Sequence, residues 1–125
     1  APLLSQNKAL KQMYIGYNSF GDEGTKHLCE ALSGSNLQLL GMRHCQLGDG
    51  AASAVADLLR TSTTLVEVGI DENCIGDAGA EAIAGAIPEN AVLTHLYIGE
   101  NNISESGMAK LVAAKPSQLG VYFSR

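Results

Sequence analysis

The histidines and cysteines are the first residues whose chemistry could define a function, because both types ligate zinc. They are scattered along the chain, at His27, His44, His95, Cys29, Cys45 and Cys74. No pair has the CxxC or HxxxH spacing from which zinc sites are usually built. We therefore expect no metal and no cofactor.

Glycine-rich turns are a second candidate, because such turns can cradle phosphate at the start of a helix. They lie at 21–24, 48–50 and 76–79, each ahead of a stretch with helical apolar spacing. A phosphate loop also needs Gly-Lys followed by Ser or Thr, whereas these turns carry an aspartate where the phosphate would lie. We interpret them as structural turns and expect no small-molecule substrate.

Nucleophilic catalysis would need a serine or cysteine beside a histidine that an acid orients. Ser53, Ser62 and Ser104 fall in expected helices or turns, and no GxSxG motif occurs. The sequence therefore predicts no catalytic residue and no enzyme.

The elements that carry these residues repeat along the chain. The blocks Leu10–Asn18, Leu37–Cys45, Leu65–Asn73 and Leu93–Asn101 fit LxxLxLxxN, and their last residues are 27, 28 and 28 positions apart. Apolar residues at helical spacing follow each block. One strand and one helix cannot bury both apolar faces alone, so the units are expected to stack.

An acidic residue begins each expected helix, where it could accept hydrogen bonds from free backbone N–H groups and face the positive end of the helix dipole. These acids are Asp22, Asp49, Asp77 and Glu105.

The combined pattern LxxLxLxxNxIGDxGA resembles the leucine-rich repeats of the ribonuclease-inhibitor-like class. Within that class it is similar to the repeats of NOD-like receptors and of Ran GTPase-activating protein. The resemblance implies an α/β leucine-rich-repeat solenoid, with a curved parallel β-sheet on the concave side and parallel α-helices on the convex side. About four repeats of 27–28 residues and a partial fifth strand, in LGVYFSR, would form one domain over residues 1–125, a segment of a longer array.

Stacking of the units predicts a continuous core of strand and helix residues. The strand residues are Leu10, Met13, Ile15, Leu37, Leu40, Met42, Leu65, Val68, Ile70, Leu93, Leu96 and Ile98. The helix residues are Leu28, Leu32, Val55, Leu59, Ile83, Ile87, Leu111 and Val112.

Asparagines and cysteines are expected to occupy the loops where the strands end. Asn18, Asn73 and Asn101 should bond backbone groups that would otherwise be buried without partners. Cys45 and Cys74 should be buried, unpaired thiols.

Side chains at the third, fifth, seventh and eighth positions of LxxLxLxxN should face the solvent on the concave side. The residues that we predict to bind a partner are Tyr14, Tyr17, Arg43, His44, Glu67, Asp71, Glu72, His95, Tyr97 and Glu100. In the fifth strand, the counterparts would be Val121, Phe123 and Arg125. Tyrosines are enriched at binding hot spots, and the acids of the third and fourth units favour a partner with a basic patch.

Composition limits the other partners. The chain has 125 residues, with 13 acidic against 8 basic residues and a net charge of −5, which argues against nucleic acid. No apolar run approaches the roughly 18 residues that span a bilayer, so we expect no membrane partner. Three cysteines are too few for a disulfide scaffold and favour a reducing, cytoplasmic location.

The main functional hypothesis is a non-enzymatic module that binds a protein partner through its concave sheet face. Two alternatives stay open. One is a segment of a Ran-type GTPase-activating protein, and the other is a designed or consensus-like repeat scaffold.

Overall fold

The computed structural model describes residues 9–123, in which strands and helices alternate. In chain order the elements are β1 (Gln12–Tyr14), α1 (Gly21–Leu32), β2 (Leu39–Gly41), α2 (Asp49–Thr61), β3 (Glu67–Gly69), α3 (Asp77–Ala86), a 3-10 turn (Ile87–Glu89), β4 (His95–Tyr97), α4 (Glu105–Ala114) and β5 (Gly120–Tyr122).

The five strands form one parallel sheet in chain order, β1 to β5. The middle residues of neighbouring strands pair in a single register, from Met13 through Leu40, Val68 and Leu96 to Val121. The helices pack on one another in the same order. This arrangement confirms the predicted α/β leucine-rich-repeat solenoid.

The core lies between the sheet and the helix layer. Leu40, Val68 and Leu96, in the middle of their strands, are completely buried. Helix residues at the repeat spacing, Val55 and Ile83, are also completely buried. Because equivalent positions in successive units are apolar, every inner unit buries its residues against two neighbours.

The prediction for Val112 is wrong, since its side chain is 49% exposed. Leu111 is the inward residue of α4, and the next residue of a helix lies about 100° around the axis. The first unit is also less buried than predicted. Leu10, Met13, Ile15 and Leu28 are only half-buried and contact the core at one end of the described array.

The prediction for the loop asparagines is confirmed for Asn73 and Asn101, but the bonds of Asn18 are exposed to solvent. Asn73 and Asn101 each donate to a carbonyl of the preceding unit, at 3.0 and 3.1 Å, whereas Asn18 bonds carbonyls of its own turn. In the second unit Cys45 replaces asparagine, and its Sγ lies 3.2 Å from the carbonyl oxygen of Ile15. The side chain at this position therefore connects neighbouring units.

The helix-start aspartates bond the next helix rather than their own. Asp22 Oδ1 accepts from the N–H groups of Gly48 and Ala51, and Asp49 Oδ1 accepts from those of Gly76 and Gly79. Asp22 and Asp49 lie too far along their own helices to occupy the N-cap position, which Phe20 and Gly48 hold without side-chain bonds. Each aspartate therefore ties one unit to the next.

The cysteines differ from one another in burial. Cys29 and Cys45 are buried, but Cys74 is exposed, which contradicts the predicted burial. Cys74 directly follows Asn73. Its backbone N–H donates to the carbonyl oxygen of Leu47 in the preceding unit, and its side chain is exposed. All three thiols are free.

Candidate protein-interaction face

The concave face is the side of the sheet turned away from the helices, together with the loops at the strand ends. The residues at the eighth position of the four LxxLxLxxN repeats share one backbone conformation. Tyr17, His44, Glu72 and Glu100 have φ angles of 61°, 57°, 58° and 54°. This left-handed region costs a non-glycine residue roughly 1 kcal/mol. This backbone conformation was not predicted, although each of these residues directly precedes the ninth repeat position, whose asparagine or cysteine we call the ladder residue.

The N-terminal half of the concave face is aromatic and exposed. Tyr14 and Tyr17 are 69% and 65% exposed. The ring of Tyr17 stacks on His44 with centroids 5.1 Å apart. A hollow of about 400 Å³ lies beside them and is also lined by Arg43 and Glu67. Five of the predicted partner-binding residues are thus close together.

Three rings stack on one another at the C-terminal half. The centroids of Tyr97 and Tyr122 are 5.0 Å apart, and His95 lies 6.3 and 5.9 Å from them. The ring planes are within 22° of parallel. Gly120 leaves the space for this group, because a Cβ there would come within 2.5 Å of the Tyr122 hydroxyl.

The predicted register of the fifth strand is wrong by one residue. Val121 pairs with Leu96, and both Val121 and Phe123 are half-buried against the core. Tyr122 pairs with Tyr97 on the concave face and is 39% exposed. A shift of one residue moves every side chain to the other face of a sheet. Arg125 lies outside the described residues.

An ion-pair cluster lies between the two aromatic groups. Arg43 Nε donates to Oε2 of Glu72 and lies 3.5 Å from Oδ2 of Asp71. Asp71 is only 3% exposed, which contradicts its expected exposure on this face. Glu100 is exposed at the corresponding loop position of the next unit. In the C-terminal half of the concave face, Glu100 is therefore an exposed acid and Glu72 is a partly exposed one.

The C-terminal hollow has a volume of about 320 Å³ and an open mouth. It is lined by Arg43, Asp71, Glu72, Tyr97, Gly99, Glu100 and Tyr122. Three carboxylates and one guanidinium share it with two phenol rings, so the hollow is acidic and aromatic at once. Tyr122 was not among the predicted binding residues, because the predicted register of the fifth strand placed its side chain on the other face of the sheet.

A groove on the helix side has different chemistry. It has a volume of about 430 Å³ and lies between α1 and α2, with Cys29, Lys26 and Asp57 among its lining residues. Burial, with smaller effects from Asp57 and Glu30, raises the pKa of the Cys29 thiol to about 12. The groove therefore offers no thiolate nucleophile near neutral pH.

Among residues 9–123, no three His, Cys, Asp or Glu side chains converge as a metal site would require. None of the helices described is both long and apolar enough to cross a bilayer.

Comparisons with known sequences match the repeat. A family model described as Leucine Rich repeat matches residues 61–84 and 89–112. The ribonuclease inhibitor of Sus scrofa is 35% identical over 74 residues, which are 58% of this chain and 16% of the inhibitor. NACHT, LRR and PYD domains-containing protein 3 of Rattus norvegicus is 36% identical over 75 residues, 58% of this chain and 7% of that protein. The chain thus spans less than a fifth of either relative.

Solved structures match the whole fold at low sequence identity. The structure of leiomodin-1 actin-binding site 2 has a TM-score of 0.83 and 19% identity, covering 99% of this chain and 77% of that one. The tropomodulin C-terminal domain of Caenorhabditis elegans has a TM-score of 0.81 and 15% identity, covering 99% and 79%. These likenesses concern the fold alone.

The parallel sheet, the helix layer and the repeat spacing define a strand-and-helix solenoid. Together with the matched repeat model and the relatives, they support a leucine-rich-repeat protein of the ribonuclease-inhibitor-like class. Leucine-rich-repeat domains are commonly protein-interaction modules.

Proposed function

We propose that this chain is a non-enzymatic module that binds a protein partner through its concave face. The observation that carries the proposal is the stack of His95, Tyr97 and Tyr122 beside an acidic hollow. Rigid aromatic side chains next to a cavity are typical of binding hot spots. A fold of this kind carries an actin-binding site in leiomodin-1, which illustrates what the fold can support.

The charge of the concave face favours a partner with a basic patch. β3 and β4 carry no Lys or Arg, and Glu67, Glu72 and Glu100 lie on or beside them. Arg43 offsets part of this charge through Asp71 and Glu72. The remaining acidity would steer a basic partner and orient it on the face.

Site-directed photo-crosslinking tests the concave assignment. A photoreactive phenylalanine analogue replaces Tyr97 in one variant and Glu81, on the outer side of α3, in a matched control. Expressed in cells, the Tyr97 variant should form discrete crosslinked products that the Glu81 control lacks. Products from Glu81 together with none from Tyr97 would place the contact surface on the convex side and overturn the proposal.

We infer one repeat domain, supported by the unbroken sheet of the described residues, and a cytoplasmic location, supported by the three free thiols. The Ran-type activator and the designed scaffold stay predictions. Acceleration of GTP hydrolysis when the chain is added to Ran·GTP would favour the activator over a purely binding role.

A further inference from the structure

We propose that the C-terminal hollow binds an arginine side chain in a basic segment of the protein partner. This inference rests on the proposed function and names the chemistry of the contact. Three features support it. Arg43 is held by carboxylates of the third unit. The equivalent position of the third unit carries no arginine, and two tyrosine rings line the hollow there.

The second and third units already show how this face holds a guanidinium. Arg43, at the seventh position of its repeat, reaches the eighth-position carboxylate of the next unit, Glu72. It also lies 3.5 Å from Asp71. Both contacts are made by Nε, so the Nε edge of the guanidinium lies against the two carboxylates.

One repeat later, the position equivalent to that of Arg43 carries no basic residue. The eighth position of the fourth unit is again an acid, Glu100, with the same left-handed backbone as Glu72, at φ 54° and 58°. The seventh position of the third unit, where Arg43 has its equivalent, is Asp71. Gly99 follows at the seventh position of the fourth unit and contributes no side chain to the hollow. The repeat therefore presents an exposed carboxylate and open space where a guanidinium would fit.

The aromatic wall selects the type of cation. Tyr97 and Tyr122 stack at 5.0 Å and both line the hollow. A guanidinium can lie flat on a tyrosine ring while its edge bonds a carboxylate, whereas an ammonium ion is compact and more strongly hydrated. Arginine is therefore preferred to lysine.

Short peptides with one variable residue test the inference. Acetyl-Gly-Gly-Arg-Gly-Gly-amide is compared with the lysine peptide and with the citrulline peptide, which keeps the shape without the charge. Binding is followed by NMR of the tyrosine rings. We expect the arginine peptide to bind about tenfold more tightly than the citrulline peptide, in line with the loss of one charge-assisted contact. The signals of Tyr97 and Tyr122 should shift, while those of Tyr14 stay in place.

Matched variants assign the contact to its residues. Glu100→Gln should weaken the arginine peptide about tenfold, whereas Glu81→Gln on α3 should leave it unchanged. Tyr122→Leu should weaken it and Tyr14→Leu should not. Equal binding of the arginine and citrulline peptides, or shifts confined to Tyr14 and Tyr17, would overturn the inference.

The two proposals fail in different ways. Crosslinking from position 97 without arginine preference would leave the concave interaction standing and remove the arginine site. Arginine preference with crosslinking only from position 81 would keep the hollow as an arginine site and remove the concave face as the protein contact.

Discussion

The side chain of Asn73 connects two repeats. Its Nδ2 donates to the carbonyls of Met42, Ile70 and Asp71, and its Oδ1 accepts from the N–H groups of Cys45 and Leu47. The residue is 8% exposed, so water cannot replace these partners readily. An alanine there would leave several buried backbone groups unpaired, and each such group costs about 1–3 kcal/mol.

We therefore expect Asn73→Ala to lower the free energy of unfolding by about 3 kcal/mol. The matched control is Asn18→Ala, which removes two bonds to Ile15 and Gly16 at an exposed turn and should cost less than about 1 kcal/mol. Urea denaturation measures both. Equal losses in the two variants would show that Asn73 is no more important than a surface turn residue.

The three thiols should differ in their reactivity. Cys74 is exposed, whereas Cys29 and Cys45 are buried. Burial raises the pKa of Cys29 to about 12, so almost none of it is thiolate at pH 8. A thiol reagent at pH 8 should modify Cys74 quickly and all three cysteines after denaturation. Two or three fast reactions in the native protein would contradict this burial pattern.

Repeat position predicts some residue properties and misses others. The ladder asparagines were predictable because their role depends on the backbone, which every unit shares. The burial of Asp71 was not, because it depends on Arg43, which only the preceding unit has at that position. The exposure of Cys74 was missed because the position after the ladder residue has no apolar requirement.

The aspartates at the helix starts act between elements. Asp49 Oδ1 lies 2.7 Å from the N of Gly76 and 3.0 Å from the N of Gly79, at the first turn of α3. We expect Asp49→Ala to lower the free energy of unfolding by about 1 kcal/mol, as the loss of a helix cap does. Asp57→Ala, in the same helix, removes an exposed ion pair with Arg60 and should cost less than about 0.5 kcal/mol. A larger loss for Asp57 would contradict the proposed link between units.

Asp77 makes the corresponding link dependent on pH. Hydrogen bonds from the hydroxyl and the backbone N–H of Ser104 lower the pKa of Asp77. A carboxylate whose pKa is lower in the folded state adds stability above its unfolded pKa, about 3.9, and loses it as the pH falls through the folded value. The loss in Tm caused by Asp77→Asn should therefore be largest at pH 7 and shrink below about pH 4. A difference that grows on acidification would contradict this account.

The elements show where a repeat pattern is a reliable guide. The strand register of the four complete units was predictable from the sequence, because each unit has both the apolar strand residues and the ladder residue. In the fifth strand the segment LGVYFSR matches only part of the repeat pattern, so its register was less well defined by the sequence. Pairing of Val121 with Leu96 resolves the choice, because it places an apolar side chain against the core.

At the scale of the whole molecule, the concave face is small. Five strands about 4.8 Å apart and five exposed residues of about 3.3 Å each give a footprint on the order of 300 Å². A standard interface takes about 800 Å² from each partner. The described units therefore account for part of a binding site, and the contacts at its centre should decide orientation and association rate more than total affinity.

If a partner binds the concave face, the acidity of that face should guide its association. The most direct measurement is the association rate of the partner recovered by crosslinking at position 97, at two salt concentrations. Glu100→Lys should slow association about fivefold at low salt and flatten its salt dependence, whereas Glu81→Lys on α3 should change neither. If Glu81→Lys slows association and Glu100→Lys leaves it intact, the concave face is not the site of binding.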